Sequence, residues 1–307
     1  MTILVTGLPR SGTSWTGRML CASGELVYVN EPLNPERHHP GVLNTPPPNR
    51  FQYICEDNEP TWLPAFTDTT ALRYRFLAEL RHNRRPAALA RLLRTGTAFT
   101  LGCLLGRRAL LDDPFALFSA AWFASRLNCR VIILIRDPVT FTGSWQHLGW
   151  TVYFHELLEQ PLLIRDHPNL LALRDHVGSQ DRIAKAAALW RAARDVTDTI
   201  THPNIRVVSY ETLAADPLYG FRDLYAWCGL TWTDRSAQFV RRACTGPSTE
   251  RAFTWSGLSR TAFQRTDSAT AAARTRLSPE DASRVRSLVS PSTAARERTC
   301  TRAAAPR

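Results

Sequence analysis

The stretch GLPRSGTSW, residues 7–15, sets two glycines five positions apart and follows the second with two hydroxyl side chains, Thr13 and Ser14. The residues before it, TILVT (2–6), read as a buried strand, and those from Thr13 onward read as a helix. A loop at such a junction turns several backbone N–H groups toward one point, and the positive end of the helix reinforces them. Gly7 and Gly12 permit tight turns, Thr13 and Ser14 add hydroxyls, and Arg10 supplies formal positive charge from within the loop. Such a nest suits the oxygens of a phosphate or a sulfate. A nucleotide triphosphatase loop would carry lysine where Thr13 stands. No strand ending in an evident magnesium-binding aspartate is read in this chain, so chemistry on ATP and magnesium loses support.

A second site is written in RVIILIRDPVTFTGSW, residues 130–145. Arg136 stands at the carboxyl edge of an apolar strand, Asp137 suits a helix N-cap, and Pro138 suits the first helical position. Ser144 follows Asp137 by seven residues, two helical turns, so it faces the same side as the cap. Arginine and serine can thus converge on one phosphate. A third, looser feature is VVSYETLAADP (207–217), read as a strand whose end carries Tyr210 before an Asp-Pro turn.

These residues need a frame to hold them. Strand-like runs occur at 2–6, 25–29, 130–135 and 205–210, separated by helical stretches at 13–22, about 71–94, 114–127, 138–147, 182–200 and 217–228. Alternation of this kind predicts an α/β fold: a single, doubly wound, mainly parallel sheet with helices on both faces. One domain over residues 1–290 is expected, with irregular insertions at about 34–60 and 149–180, and residues 291–307 as a disordered basic tail. In an open parallel sheet, ligands sit beyond the carboxyl ends of the strands. Arg10, Glu31, Arg136 and Tyr210 all leave predicted strands at that edge.

At 307 residues the chain suffices for one full α/β core, and a net charge of +11 favours an anionic partner. Basic side chains are almost all arginine, with Lys185 the single lysine among 38. No run of consecutive basic residues in the body of the chain and no recognisable nucleic-acid motif favours a nucleic-acid partner. The seven cysteines are scattered without C-x-x-C spacing, which suits free thiols in a reducing compartment and indicates neither a disulfide framework nor zinc. No apolar run is long enough to span a bilayer, and ILVTG leads straight into the loop, so a cytoplasmic location is expected. His38, His39, His147 and His155 lack metal spacing.

GLPRSGTSW resembles the 5′-phosphosulfate loop of the sulfotransferase family, whose donor is 3′-phosphoadenosine 5′-phosphosulfate (PAPS). Arg10 is similar to the arginine of carbohydrate, tyrosylprotein and many bacterial members; the cytosolic branch has lysine there. The resemblance implies that Arg10 contacts the 5′-phosphate and sulfuryl oxygens, that Ser11, Gly12, Thr13 and Ser14 line the phosphate, and that Trp15 stacks on adenine. Arg136 and Ser144 resemble the family's 3′-phosphate pair, and Tyr210 would lie near the adenine. The family's late Arg-Lys-Gly loop is absent, and Arg265 in FQRTDS is the candidate for its cationic contact.

Sulfuryl transfer to a hydroxyl needs in-line placement, stabilisation of charged oxygens and a base for the acceptor proton. Glu31, two residues past ELVYV, is the expected base and resembles the carboxylate bases proposed for arginine-loop members. Asp113 in LLDDPFALF is the alternative, with helix capping as its ordinary role. The histidine base of the cytosolic branch has no counterpart at Asp112 and Asp113. The function expected is transfer of a sulfuryl group from PAPS, without a metal, to a hydroxyl of a small molecule, sugar or glycolipid. A P-loop kinase of a small alcohol, and a non-catalytic nucleotide- or nucleic-acid-binding module, remain the rival readings.

Overall fold

Strands β1 (Ile3–Gly7) and β4 (Arg130–Ile135) are nearly continuous apolar runs, and they pair in parallel from Ile3 opposite Arg130 to Gly7 opposite Leu134. The computed structural model describes residues 1–82, 86–245 and 276–290. Around the central pair, β2 (Leu26–Asn30), β3 (Arg108–Asp112) and β5 (Ile205–Ser209) complete a five-stranded sheet in the order β2-β3-β1-β4-β5, and every pairing is parallel.

Helix α1 (Thr13–Cys21) joins β1 to β2. Helices α2 (Glu59–Thr70), α3 (Phe76–His82) and α4 (Pro86–Leu104) lie between β2 and β3, and α5 (Ala120–Arg126) between β3 and β4. Helices α6 (Pro138–His147), α7 (His155–Leu158), α8 (Pro161–Asp166) and α9 (Arg182–Thr199) precede β5. After it come α10 (Tyr210–Ala215), α11 (Pro217–Cys228), α12 (Asp234–Thr245) and α13 (Pro279–Val289).

The strands divide their side chains between two cores with the period of two that a pleated strand imposes. Ile3, Val5, Leu110, Ile132 and Leu134 pack with Trp15 and Tyr225 on one face. Leu4, Leu111, Val131 and Ile133 pack with Phe66, Phe123 and Leu189 on the other. Complete burial of each such aliphatic side chain stabilises the fold by about 1.5–3 kcal/mol. The doubly wound sheet expected from the alternation is therefore the observed one.

Four expectations change in detail. The strand β3, RALLD, is absent from the sequence reading: leucine and alanine carry little strand preference, and the run follows directly on a leucine-rich helix. The helix expected at about 71–94 is instead the two segments α3 and α4, with Leu72 at a positive φ of 57° ahead of α3 and Pro86 at the start of α4, and α2 precedes them as a helix the sequence reading does not contain. Tyr210 begins α10 rather than ending β5, and the Ser209 hydroxyl accepts from Thr212 N to cap that helix. The insertion at 149–180 is built mainly from the short helices α7 and α8 and a 3-10 segment, Pro168–His176. The tail beyond residue 290 lies outside the described residues.

Candidate active site

Strands β1 and β4 are neighbours, but the helices that leave them pack on opposite faces. Trp15 and Met19 of α1 join one core, whereas Phe141 and Trp145 of α6 join the other. Their loops therefore part at the carboxyl edge of the sheet and leave a crevice, the position where open parallel sheets bind ligands.

The first wall of the crevice is the loop from Gly7 to Gly12. Gly7 has φ 147°, and a Cβ there would stand 2.4 Å from the carbonyl oxygen of Leu134, so only glycine lets β1 and β4 remain paired at this point. Gly12 has φ 97°, and a Cβ there would meet the Tyr210 ring at 2.6 Å. Ser11 is buried, and its N–H closes the turn onto Leu8 O at 3.0 Å. Helix α1 then starts at Thr13 with Gly12 as its N-cap and with no side-chain cap hydrogen bond. Its first-turn N–H groups thus face the crevice without the side-chain oxygen that helix starts usually recruit.

The second wall is the start of α6. Asp137 caps it, accepting from Thr140 N at 2.9 Å, and Pro138 occupies the first position, as the sequence predicts. Arg136 is only 7% exposed. Its Nε donates to Thr140 Oγ1 at 3.2 Å and its Nη1 to Arg10 O at 2.8 Å, and its guanidinium carbon lies 4.9 Å from the centre of the Tyr210 ring. The backbone carbonyl of Arg136 is held from behind by Trp190 Nε1 at 2.7 Å. Trp145 Nε1 reaches across to Pro9 O at 3.0 Å, tying the two walls together.

Arg10 crosses the gap in the other direction, donating from Nε to Ser144 Oγ at 3.3 Å. Ser144 is fully buried and meets Arg10, whereas Thr140, which the sequence reading passed over, is the side chain that meets Arg136. The two arginines are thus joined through Arg10 O. Among the described residues no carboxylate forms an ion pair with either one. Burial, then the charges of Arg136 and Arg276, lower the Arg10 pKa, with Tyr210 opposing. Burial likewise lowers that of Arg136, against the pull of Tyr210 and Glu211 and with a further downward push from Arg276. Positive groups held together in this way favour an anion between them.

Arg276, two residues ahead of the Ser278 cap of α13, was not foreseen. Its signal in the sequence is an arginine just before a Ser-Pro helix start, and that signal is common to many surface arginines. Arg265, the expected late contact, lies outside the described residues. Trp15 is 6% exposed and packs edge-on against Tyr210 and Phe221, with ring centres 5.6 and 5.0 Å away. It therefore supports Tyr210 from within the core, and its face is not the open stacking surface anticipated.

Glu31 stands on the loop after β2, with a φ of 44° that non-glycine residues seldom adopt; Arg10, at φ 80°, shares this feature. The Glu31 N–H donates to Asp112 O at 2.7 Å, and its Oε2 accepts from Asn34 Nδ2 at 2.7 Å. Asn34 is buried and its Oδ1 also accepts from Glu36 N, so it fixes the direction of the Glu31 carboxylate. An ion pair from Glu31 to Arg10 or Arg37 is absent among the described residues.

Asp113 has a different occupation. It is 1% exposed, its Oδ2 accepts from Leu33 N at 2.6 Å and its Oδ1 from Phe115 N at 3.0 Å. Burial raises its pKa, while those two N–H donors pull it down. Both oxygens are thus committed, Oδ2 to holding the Glu31 loop against the end of β3 and Oδ1 to capping the 3-10 segment Pro114–Ser119. Asp112, beside it, ends β3 next to β1, with its side chain turned toward α1 and Tyr28 Oη donating to its Oδ2. A strand ending in an aspartate beside the loop is therefore present, contrary to the sequence reading. Among the described residues no group of three histidine, cysteine, aspartate or glutamate side chains could hold a metal ion, and no helix is long and apolar enough to cross a membrane.

An arginine-rich oxyanion crevice at the switch point of a doubly wound parallel sheet defines a class of phosphate- or sulfate-handling α/β protein. A profile described as Sulfotransferase family matches residues 2–234, and the chain belongs to the sulfotransferase family. Carbohydrate sulfotransferase 5 of Homo sapiens is 28% identical over 151 residues, which span 45% of this chain and 30% of that protein's length. Among solved structures, the sulfotransferase domain from the curacin biosynthetic pathway overlays with a TM-score of 0.47 and 12% identity, covering 93% of this chain and 96% of that one. The sulfotransferase domain from the Synechococcus PCC 7002 olefin synthase overlays with a TM-score of 0.42 and 16% identity, covering 92% of each.

Proposed function

We propose that this chain transfers a sulfuryl group from PAPS to an acceptor hydroxyl, with Arg10 and Arg136 as the principal donor-binding side chains and Glu31 as the base. The observation that carries this reading is the pair of linked arginines, without a carboxylate partner among the described residues, beside a helix start that no side chain caps. The donor supplies an activated sulfuryl group and a 3′-phosphate that needs its own cationic contact.

Arg10 and the first-turn N–H groups of α1 hold the 5′-phosphosulfate oxygens, and the hydroxyls of Thr13 and Ser14 line the same point. Arg136 holds the 3′-phosphate, with Thr140 and the Tyr210 ring fixing its guanidinium and Arg276 adding long-range positive charge. Ser144 acts through Arg10, whose Nε it anchors. Glu31, aimed by Asn34, accepts the acceptor's proton while the acceptor oxygen bonds to sulfur and the bond from sulfur to the bridging phosphate oxygen breaks. Arg10 and the backbone donors stabilise charge gathering on the leaving phosphate. The products are a sulfate ester and adenosine 3′,5′-bisphosphate. Similarity to a carbohydrate sulfotransferase favours a sugar hydroxyl, free or on a glycolipid, as the acceptor.

The test is incubation with sulfur-labelled PAPS and a panel of mono- and oligosaccharides, glycolipids and small alcohols. Release of adenosine 3′,5′-bisphosphate in equal amount to a labelled ester supports the reading. Asp112, at the end of β3 beside Thr13 and Ser14, is the one observation that favours a magnesium-dependent kinase. Phosphorylation of an alcohol from ATP and magnesium, with no response to PAPS, selects that alternative.

A further inference from the structure

Asp112 is a charge problem that the proposed donor site leaves open. It is fully buried, and its Oδ1 accepts no well-formed hydrogen bond, while Tyr28 occupies Oδ2. The hydroxyls of Ser14 and Thr13, the same two that line the phosphate cradle, lie close enough to influence its ionisation. An ionised Asp112 would draw those hydroxyl protons toward itself and would set a negative charge beside an incoming anion, both of which oppose binding.

We propose that Asp112 is a positioning residue of the donor site that acts in its acid form, its proton donated to the hydroxyls of Thr13 and Ser14 so that these turn their own protons toward the 5′-phosphosulfate. The inference rests on PAPS being the donor. Binding then takes one proton from solvent: the Asp112 carboxylate plus a proton plus the donor gives the carboxylic acid hydrogen-bonded in the complex. The surroundings agree with this assignment. Burial pushes the Asp112 carboxyl up to about 6 even without a ligand, opposed by the Tyr28 and Ser14 hydrogen bonds, raised further by Glu31 and lowered by Thr13. From α1 the facing groups are Thr13, Ser14, Arg18 and Cys21; from β2 and its loop they are Tyr28 and Glu31; from its own chain end it is Asp113. Burial raises Tyr28 well above its ordinary value, so it stays neutral and donates. Arg18 is the single basic side chain in this group.

The test is calorimetry of PAPS binding to the full chain without acceptor, from pH 5 to 8, in buffers of different ionisation enthalpy. Uptake at pH 7.5 should be greater by about one proton in the wild type than in Asp112→Asn. The ratio of wild-type to variant affinity, which cancels titration of the ligand, should fall about tenfold per pH unit above roughly pH 6. Equal proton uptake and parallel pH profiles in the two proteins would overturn the inference while leaving the donor reading intact. So would affinity that depends on added magnesium and loses that dependence in Asp112→Asn, since a cation rather than a proton would then offset the charge. If Asp112→Asn does not fold, Asp112→Ser takes its place in the same comparison, with the same difference of about one proton expected. No PAPS binding at any pH would instead sink the donor assignment itself.

Discussion

Helices α1 and α6 leave neighbouring strands at the same sheet edge and face the same crevice, yet their N-termini are finished in opposite ways. At α6, Asp137 accepts from Thr140 N and Pro138 removes one N–H, so part of the backbone's demand is met within the protein. At α1, glycine is the N-cap, no side chain caps it, and the N–H groups are left for something else. The difference teaches that the two walls bind anions by different means. The α1 wall uses backbone with Arg10, whereas the α6 wall relies on the Arg136 side chain.

Removing Arg10 should break that contrast most severely, because it is the one formal charge of the α1 loop and also anchors to Ser144. Arg10→Ala is expected to lower kcat/KM by about 10³-fold, the upper end for loss of a preorganised transition-state donor. Initial-rate kinetics would check it, and a loss below tenfold would mean that the backbone suffices alone. Glu31→Gln is expected to reduce kcat by about 10²–10³-fold while PAPS affinity stays within about threefold. Single-turnover rates and donor calorimetry separate the two effects.

Smaller consequences are expected where the crevice wall is braced. Gly12→Ala puts a Cβ against the Tyr210 ring and strains φ, and should weaken donor binding about tenfold with little change in discrimination for the 3′-phosphate. Asp113→Asn leaves one of two backbone donors without its acceptor, and should destabilise the fold by about 1–3 kcal/mol. Its kcat should remain within about tenfold of wild type, as read by chemical denaturation alongside kinetics. Should Asp113→Asn be inactive and Glu31→Gln fully active, the assignment of the base to Glu31 is wrong.

Much of this frame is legible in the chain. The loop announces itself because its glycines obey backbone geometry that no other residue satisfies, and the Asp137-Pro138 start because capping is a local rule. What escapes is set by tertiary contacts. Strand β3 is hidden because Leu and Ala suit a buried helix as well as a buried strand, and with it went the recognition that Asp112 ends a strand beside the loop. The partner of Ser144 proves to be Arg10, since α6 rotates Thr140 and not Ser144 under Arg136. Arg276 approaches from more than 130 residues away, at a separation that no local pattern encodes.

The most direct measurement is calorimetry with adenosine 3′,5′-bisphosphate and adenosine 5′-monophosphate, on wild type and on Arg136→Ala. Loss of a charge-assisted contact to the 3′-phosphate corresponds to about 1.5–3 kcal/mol. Wild type is therefore predicted to prefer the bisphosphate by about 10–10²-fold, and Arg136→Ala to bind the two ligands nearly equally. Equal affinity of wild type for both, or a preference that survives in Arg136→Ala, would contradict a 3′-phosphate site at the second wall.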